Sequence, residues 1–135
     1  MKVLIGCLGS QNAINVVQSL RSNHQIETLI GMDANPNCAG RDLVDVFYQV
    51  PKTSHIYYME RILSIIDAEG IDVFLPIHSA EVRFFSEHKS EFESKTEIPL
   101  CIPSFKLFND LDDKYIFSQT VAYKFKDIDF ENIIL

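Results

Sequence analysis

Three short stretches hold the residue types that could bind a small molecule: Leu8-Gly9-Ser10-Gln11-Asn12, Asp33-Ala34-Asn35-Pro36-Asn37 and Pro76-Ile77-His78-Ser79-Ala80-Glu81. Each follows an apolar run. The first offers an anion the free N–H groups of a helix start after a glycine turn, or Ser10 or Asn12 simply caps that helix. In the second, Asp33 and Asn35 either meet a ligand or satisfy local backbone groups ahead of Pro36. In the third, His78 either meets a ligand or caps the next helix, and Glu81 gains from the helix dipole whatever its role. The candidate substrate-binding residues are therefore Gly9, Ser10, Asn12, Asp33, Asn35, His78 and Glu81. No Ser/His/Asp or Cys/His arrangement stands out, and no catalytic or metal-binding set is assigned. His24, His55 and His88 read as surface or packing residues. Cys7, Cys38 and Cys101 are three and far apart, which suits neither a disulfide framework nor zinc, so they read as inert thiols.

The elements that must position these stretches are strands alternating with helices. Lys2 to Cys7 is a short run rich in branched residues, as a buried parallel strand should be. Ala13, Val16, Val17 and Leu20 then form the stripe of a helix laid on a sheet. Further strands are expected at Ile26 to Met32, Val44 to Val50, Ile71 to Ile77, and Ile98 to Ile102 at the sheet edge between Pro99 and Pro103. Ser54 is expected to cap a helix with Met59, Ile62, Leu63 and Ile66 inward and Gly70 past its end. A helix from Ser79 to about Ser94 turns Val82, Phe85 and Phe92 inward and Glu81, Glu87 and Glu91 to solvent. Ser104 caps a short helix through Leu107, Phe108 and Leu111, and a last helix starts near Asp112. The fold class is α/β: a three-layer, doubly wound, mostly parallel sheet of about five strands with helices on both faces. In such sheets ligands bind outside the carboxyl ends of the strands, where strand order reverses. With the first strand central and the fourth beside it, the three polar stretches line one crevice.

Composition narrows the classes. The chain has 135 residues, 47% hydrophobic, with 12 Lys+Arg against 19 Asp+Glu and a formal net charge of -7. Nucleic acid is not an expected partner, since phosphate neutralisation needs clustered cations. No run approaches the roughly 20 apolar residues that span a bilayer, and the start shows no cleavable leader, so membrane association is not expected and the cytoplasm is. Gly6 and Gly9 are followed by Asn12 and Ala13, which leaves the dinucleotide fingerprint incomplete. An NAD(P) or nucleotide-sugar binding domain stays an alternative.

The string Lys2-Val-Leu-Ile, Gly9-Ser10-x-Asn12-Ala-Ile-Asn-Val, Gly31-Met-Asp33-Ala-Asn35-Pro36-x-x-Ala39-Gly40-Arg, Phe47-Tyr48-x-Val-Pro51, Ile71-Asp72-Val and Asn109-Asp-Leu-Asp-Asp113-Lys114 resembles the ATP-grasp superfamily. More narrowly, it is similar to the N-terminal pre-ATP-grasp domain of proteins like the carbamoyl-phosphate synthase large subunit, over roughly residues 1–120. The resemblance implies a Rossmann-like domain that helps to enclose a small-molecule carboxylate substrate. ATP and magnesium, used by the complete enzyme to form an acyl phosphate for attack by an amine, are held mainly by later domains. It also makes Lys114 a candidate nucleotide contact, where a flexible ammonium suits a phosphate or an adenine edge.

Ser118 to Lys126 lacks the Gly-x-Pro segment with which relatives of this kind continue, and the sequence stops at Leu135. The expectation is a pre-ATP-grasp domain over residues 1–111, with residues 112–135 the start of a truncated following domain or a tail. The chain is then expected to be inactive alone, with a homo-oligomer or a separate ATP-grasp chain as partner, and the apolar run Phe130 to Leu135 favours self-association. A stand-alone module binding a small metabolite or a partner protein is the alternative.

Overall fold

A computed structural model describes residues 1–124. Its sheet has four strands, all parallel, in the order β3-β2-β1-β4: β1 is Lys2–Ile5, β2 Thr28–Asp33, β3 Val46–Gln49 and β4 Val73–Leu75. The first strand is central with the fourth beside it, as expected. The helices are α1 (Gln11–Arg21), α2 (Tyr58–Glu69), α3 (Ser79–Glu87), α4 (Lys89–Glu93), α5 (Phe105–Asp112) and α6 (Lys114–Lys124).

Strand alternation divides the core between the two faces of the sheet. Val3, Ile5 and Leu29 point to one side, where Ala13 and Val17 of α1 cover them. Leu4, Ile30, Met32 and Phe74 point to the other, against Tyr58, Ile62 and Ile66 of α2 and Phe85 of α3. That second face is aromatic: Phe74 and Phe85 meet edge to face at 4.9 Å, and Phe85 and Phe92 at 5.4 Å. Three layers follow directly from the period-2 pattern.

Four expectations are corrected by the structure. The Ile98 to Ile102 segment is no strand. It makes a single parallel bridge between Leu100 and Phe74, because Pro99 and Pro103 bring no N–H to a ladder. Ser54 caps nothing. The helix begins later, at Tyr58, after the backbone N–H of Tyr57 and of Tyr58 have been taken by the Nδ1 and carbonyl of His55. The helix expected to run to Ser94 breaks at His88, whose Nδ1 and backbone N–H lie 2.8 and 3.0 Å from the Phe84 carbonyl. Finally, Glu81 is buried, not solvated.

Helix ends follow the sequence more closely. Ser10 accepts from the N–H of Ala13 at 3.2 Å and Ser104 from that of Leu107 at 3.3 Å. Gly70 closes α2 in the left-handed region at φ 62°. The last helix starts at Lys114, where Asp113 accepts from the N–H groups of Tyr115 and Ile116. Arg83 ties α3 to α5 through Asn109, Asp112 and the face of Phe108. Among the described residues no helix is long and apolar enough to cross a membrane. Phe130 to Leu135 lies outside the described residues.

Candidate functional site

The carboxyl ends of β1, β2 and β4 open into a cleft of about 260 Å³. Its floor and walls are Cys7 after β1, Asp33 and Ala34 at the end of β2, the segment Val50 to Ser54 after β3, Tyr58 at the start of α2, and His78, Ala80 and Glu81 around the start of α3. This is the crevice expected from strand order.

Glu81 is its centre. Only 2% of its surface is exposed, yet it carries a carboxylate. One oxygen accepts from the Tyr58 hydroxyl at 2.8 Å and the other from the Ile77 N–H at 3.3 Å. Burial pushes its carboxyl up to about 7; the bonds from Tyr58 and from the Ile77 and His78 amides pull the other way, and the charge of Asp33 pushes further up. The carboxyl thus takes up and releases its proton near neutral pH. The Cys7 thiol, hydrogen-bonded to Glu81, is pushed up to about 12, first by burial and then by the charges of Glu81 and Asp33. Burial and Glu81 likewise raise the Tyr58 hydroxyl. Cys7 reaches this place through a left-handed backbone, φ 49°, unusual for a residue with a Cβ.

Asp33 joins two of the loops. Its Oδ2 accepts the Gly9 N–H at 2.7 Å and its Oδ1 the Asn35 N–H at 2.8 Å. The glycine turn is thereby tied to the end of β2, and the N–H that an anion would have used is already bonded. His78 caps α3, its Nδ1 accepting from the Ala80 N–H at 3.1 Å, while also lining the cleft.

Of the seven candidates, Asp33, His78 and Glu81 line the cleft and Gly9 touches it through Asp33. Ser10 is occupied as the cap of α1 and Asn12 is exposed on that helix. Asn35 accepts the Asn37 N–H at 3.0 Å in a local turn. Lys114, exposed at the start of α6, does not line the cleft. Sequence reasoning missed Cys7, Tyr58 and the segment Val50 to Ser54. An aromatic with a polar tip beside the apolar stripe of α2 was the available signal for Tyr58.

Set beside known proteins, the family described as PylC-like, N-terminal domain, matches residues 3–100, most of the chain. The chain belongs to this family. No curated protein matches it. Solved structures with the same fold include the biotin carboxylase subunit of pyruvate carboxylase, at 18% identity and a TM-score of 0.60 over 91% of this chain. N5-carboxyaminoimidazole synthetase from Staphylococcus aureus, complexed with ADP, gives 16% and 0.56 over 90%. Glycinamide-RNase-transformylase T from Mycobacterium tuberculosis gives 16% and 0.55 over 92%. This PylC-like domain spans 27%, 29% and 35% of those three chains. Its fold is that of the pre-ATP-grasp domain, and at the level of the superfamily the resemblance read from the motif string stands.

Among the described residues no group of three or more His, Cys, Asp or Glu could hold a metal ion. The cleft sets the carboxyl groups of Asp33 and Glu81 against one lysine, Lys52. A triphosphate there would face two carboxyl groups and a single cation, which does not suit it.

Proposed function

We propose that this chain is the substrate-side domain of an ATP-grasp carboxylate-amine ligase and does not turn over ATP by itself. The observation that carries the reading is the cleft: a position at the strand ends consistent with the family, walled by the buried Glu81 and by Asp33, with Lys52 its single lysine or arginine. In this reading Asp33, His78 and Glu81 face the substrate, Gly9, Ser10 and Asn35 hold the loops around it, and Asn12 stands exposed on α1 beside them. The narrower likeness to carbamoyl-phosphate synthase rests on the motif string. Lys114 is assigned to a nucleotide held by other domains. The exposed apolar side chains Leu107, Leu111, Tyr115, Ile116 and Phe117 of α5 and α6 are assigned to contact with those domains or with another copy of the chain.

The test is ligand binding to the full chain by saturation-transfer NMR against a panel of short amines, amino acids and carboxylates, repeated with Ala80→Trp, which fills the cleft mouth. Binding that Ala80→Trp removes, without loss of cooperative unfolding, supports the reading. Binding indifferent to Ala80→Trp overturns it.

A further inference from the structure

We propose that the end of the cleft between Asp33 and Glu81 receives the ammonium group of an amine-bearing substrate, with the apolar stem of that substrate lying on Ala34, Val50 and Pro51. The proposal rests on the reading of this cleft as the substrate cleft and names which end of the substrate goes where.

Charge carries the argument. Asp33 and Glu81 face the same space, closely enough that Asp33 acts on Glu81, on Cys7 and on Tyr58. Among the described residues neither carboxyl group forms an ion pair, and Lys52 is the only lysine or arginine lining the cleft. Each Asp33 oxygen accepts one bond, so each keeps a lone pair for a further donor, and Glu81, already bonded by Tyr58, Ile77 and Cys7, adds its charge. An ammonium brings three donors and the missing counter-charge, and a substrate carboxylate at the same place would meet two like charges. Among the described residues no third His, Cys, Asp or Glu joins the pair as a metal ligand. Ala34, Val50, Pro51 and Ala80 make part of the wall apolar, beside the polar Lys52, Thr53, Ser54 and His78, and that part fits an alkyl stem.

Proton linkage supplies a readout that a purely structural Glu81 would not move. The groups facing Glu81 are Cys7 from the end of β1, Asp33 from β2, Tyr58 from α2 and the amides of Ile77 and His78. None of these is a cation. An ammonium therefore binds best when Glu81 is ionised, and with its carboxyl at about 7 the ionised share rises from about a tenth at pH 6 to about nine tenths at pH 8. Affinity should rise by up to about tenfold over that range.

The experiment uses the isotope-labelled full chain, followed by amide chemical shifts, with three matched probes: n-butylamine, butyrate and n-butanol, each to about 0.1 M, as suits fragments of this size. Expected are saturable shifts at Cys7, Asp33 and Glu81 with butylamine. Its affinity should be several-fold to tenfold higher at pH 8 than at pH 6, and Glu81→Gln should abolish that difference. Asp33→Asn should weaken butylamine at both pH values, and the pH comparison on the unsubstituted chain keeps the test independent of any variant's folding. Butyrate moving the same amides more strongly than butylamine, or butylamine affinity equal at the two pH values, overturns the ammonium assignment and leaves the substrate cleft standing. None of the three probes moving those amides overturns both.

Discussion

The carboxylate of Glu81 occupies the space that any side chain at position 6 would need: a Cβ built on Gly6 overlaps both carboxylate oxygens. The end of β1 and the start of α3 are therefore fitted to each other, and Gly6 is required by close approach while its φ is ordinary. Gly6→Ala must push the carboxylate off Tyr58 and Ile77. Overpacking of this kind costs about 1–3 kcal/mol, read as a lower urea midpoint. The double variant Gly6→Ala/Glu81→Ala should be clearly more stable than the sum of the single losses, since the clash is removed with the carboxylate.

Glu81 also sets a pH dependence. Its folded value of about 7 lies above the ordinary 4.5, so the native state holds the proton more tightly than the unfolded chain does. The stability this gives is full below about 4.5 and is lost as pH rises through about 7. The loss is at most about 3 kcal/mol. Urea unfolding at pH 5 and pH 8 should differ in this direction, and Glu81→Gln should flatten the difference. Equal slopes for both proteins would contradict it.

Tyr58→Phe removes a hydroxyl that stabilises the ionised glutamate. The Glu81 carboxyl should titrate above about 7, followed through its side-chain carbon by NMR. Stability should fall by about 1.5–3 kcal/mol, the loss typical of a hydrogen bond to a charged group. An unchanged titration would mean that the 2.8 Å contact does not govern the carboxyl.

The thiols should separate by reactivity. Cys7 is pushed up to about 12, Cys38 is buried and raised by burial and Asp33, and Cys101 is exposed. An aromatic disulfide reagent at pH 8 should therefore modify one thiol per folded chain quickly, at Cys101. Cys101→Ser should abolish the fast phase, and a fast phase persisting at Cys7 would contradict the assigned environment.

Gly70 is a simpler case. It sits at φ 62° with open space around its Cα, so only backbone preference is at stake. Gly70→Ala should cost about 1 kcal/mol, and Gly70→Asn less, because Asn tolerates the left-handed region better.

The alternation of strands and helices, the central β1 and the crevice were legible because they rest on local patterns: period 2 in Val3, Leu4 and Ile5, period 3.6 in Ala13, Val17 and Leu20, and caps at Ser10, Ser104 and Gly70. Asp33, His78 and Glu81 were reached from loop position alone. What the patterns could not supply was the tertiary fit. Glu81 read as a solvated helix residue because nothing local says that Gly6 leaves a hole for it or that Tyr58 waits opposite. Cys7 read as an inert thiol, and its place beside Glu81 and Asp33 follows from a left-handed turn that no composition rule predicts for cysteine. The failed fifth strand is the converse: Ile98 to Ile102 has strand residues, and two prolines outweigh them.

The central claim is that this chain holds substrate and leaves ATP chemistry to other domains. Its most direct test is ADP formation by the purified full chain with MgATP and a mixed panel of short amines and carboxylates. The account predicts no ADP above the rate without protein. ADP release that rises in proportion to the chain and requires both an amine and a carboxylate would contradict it.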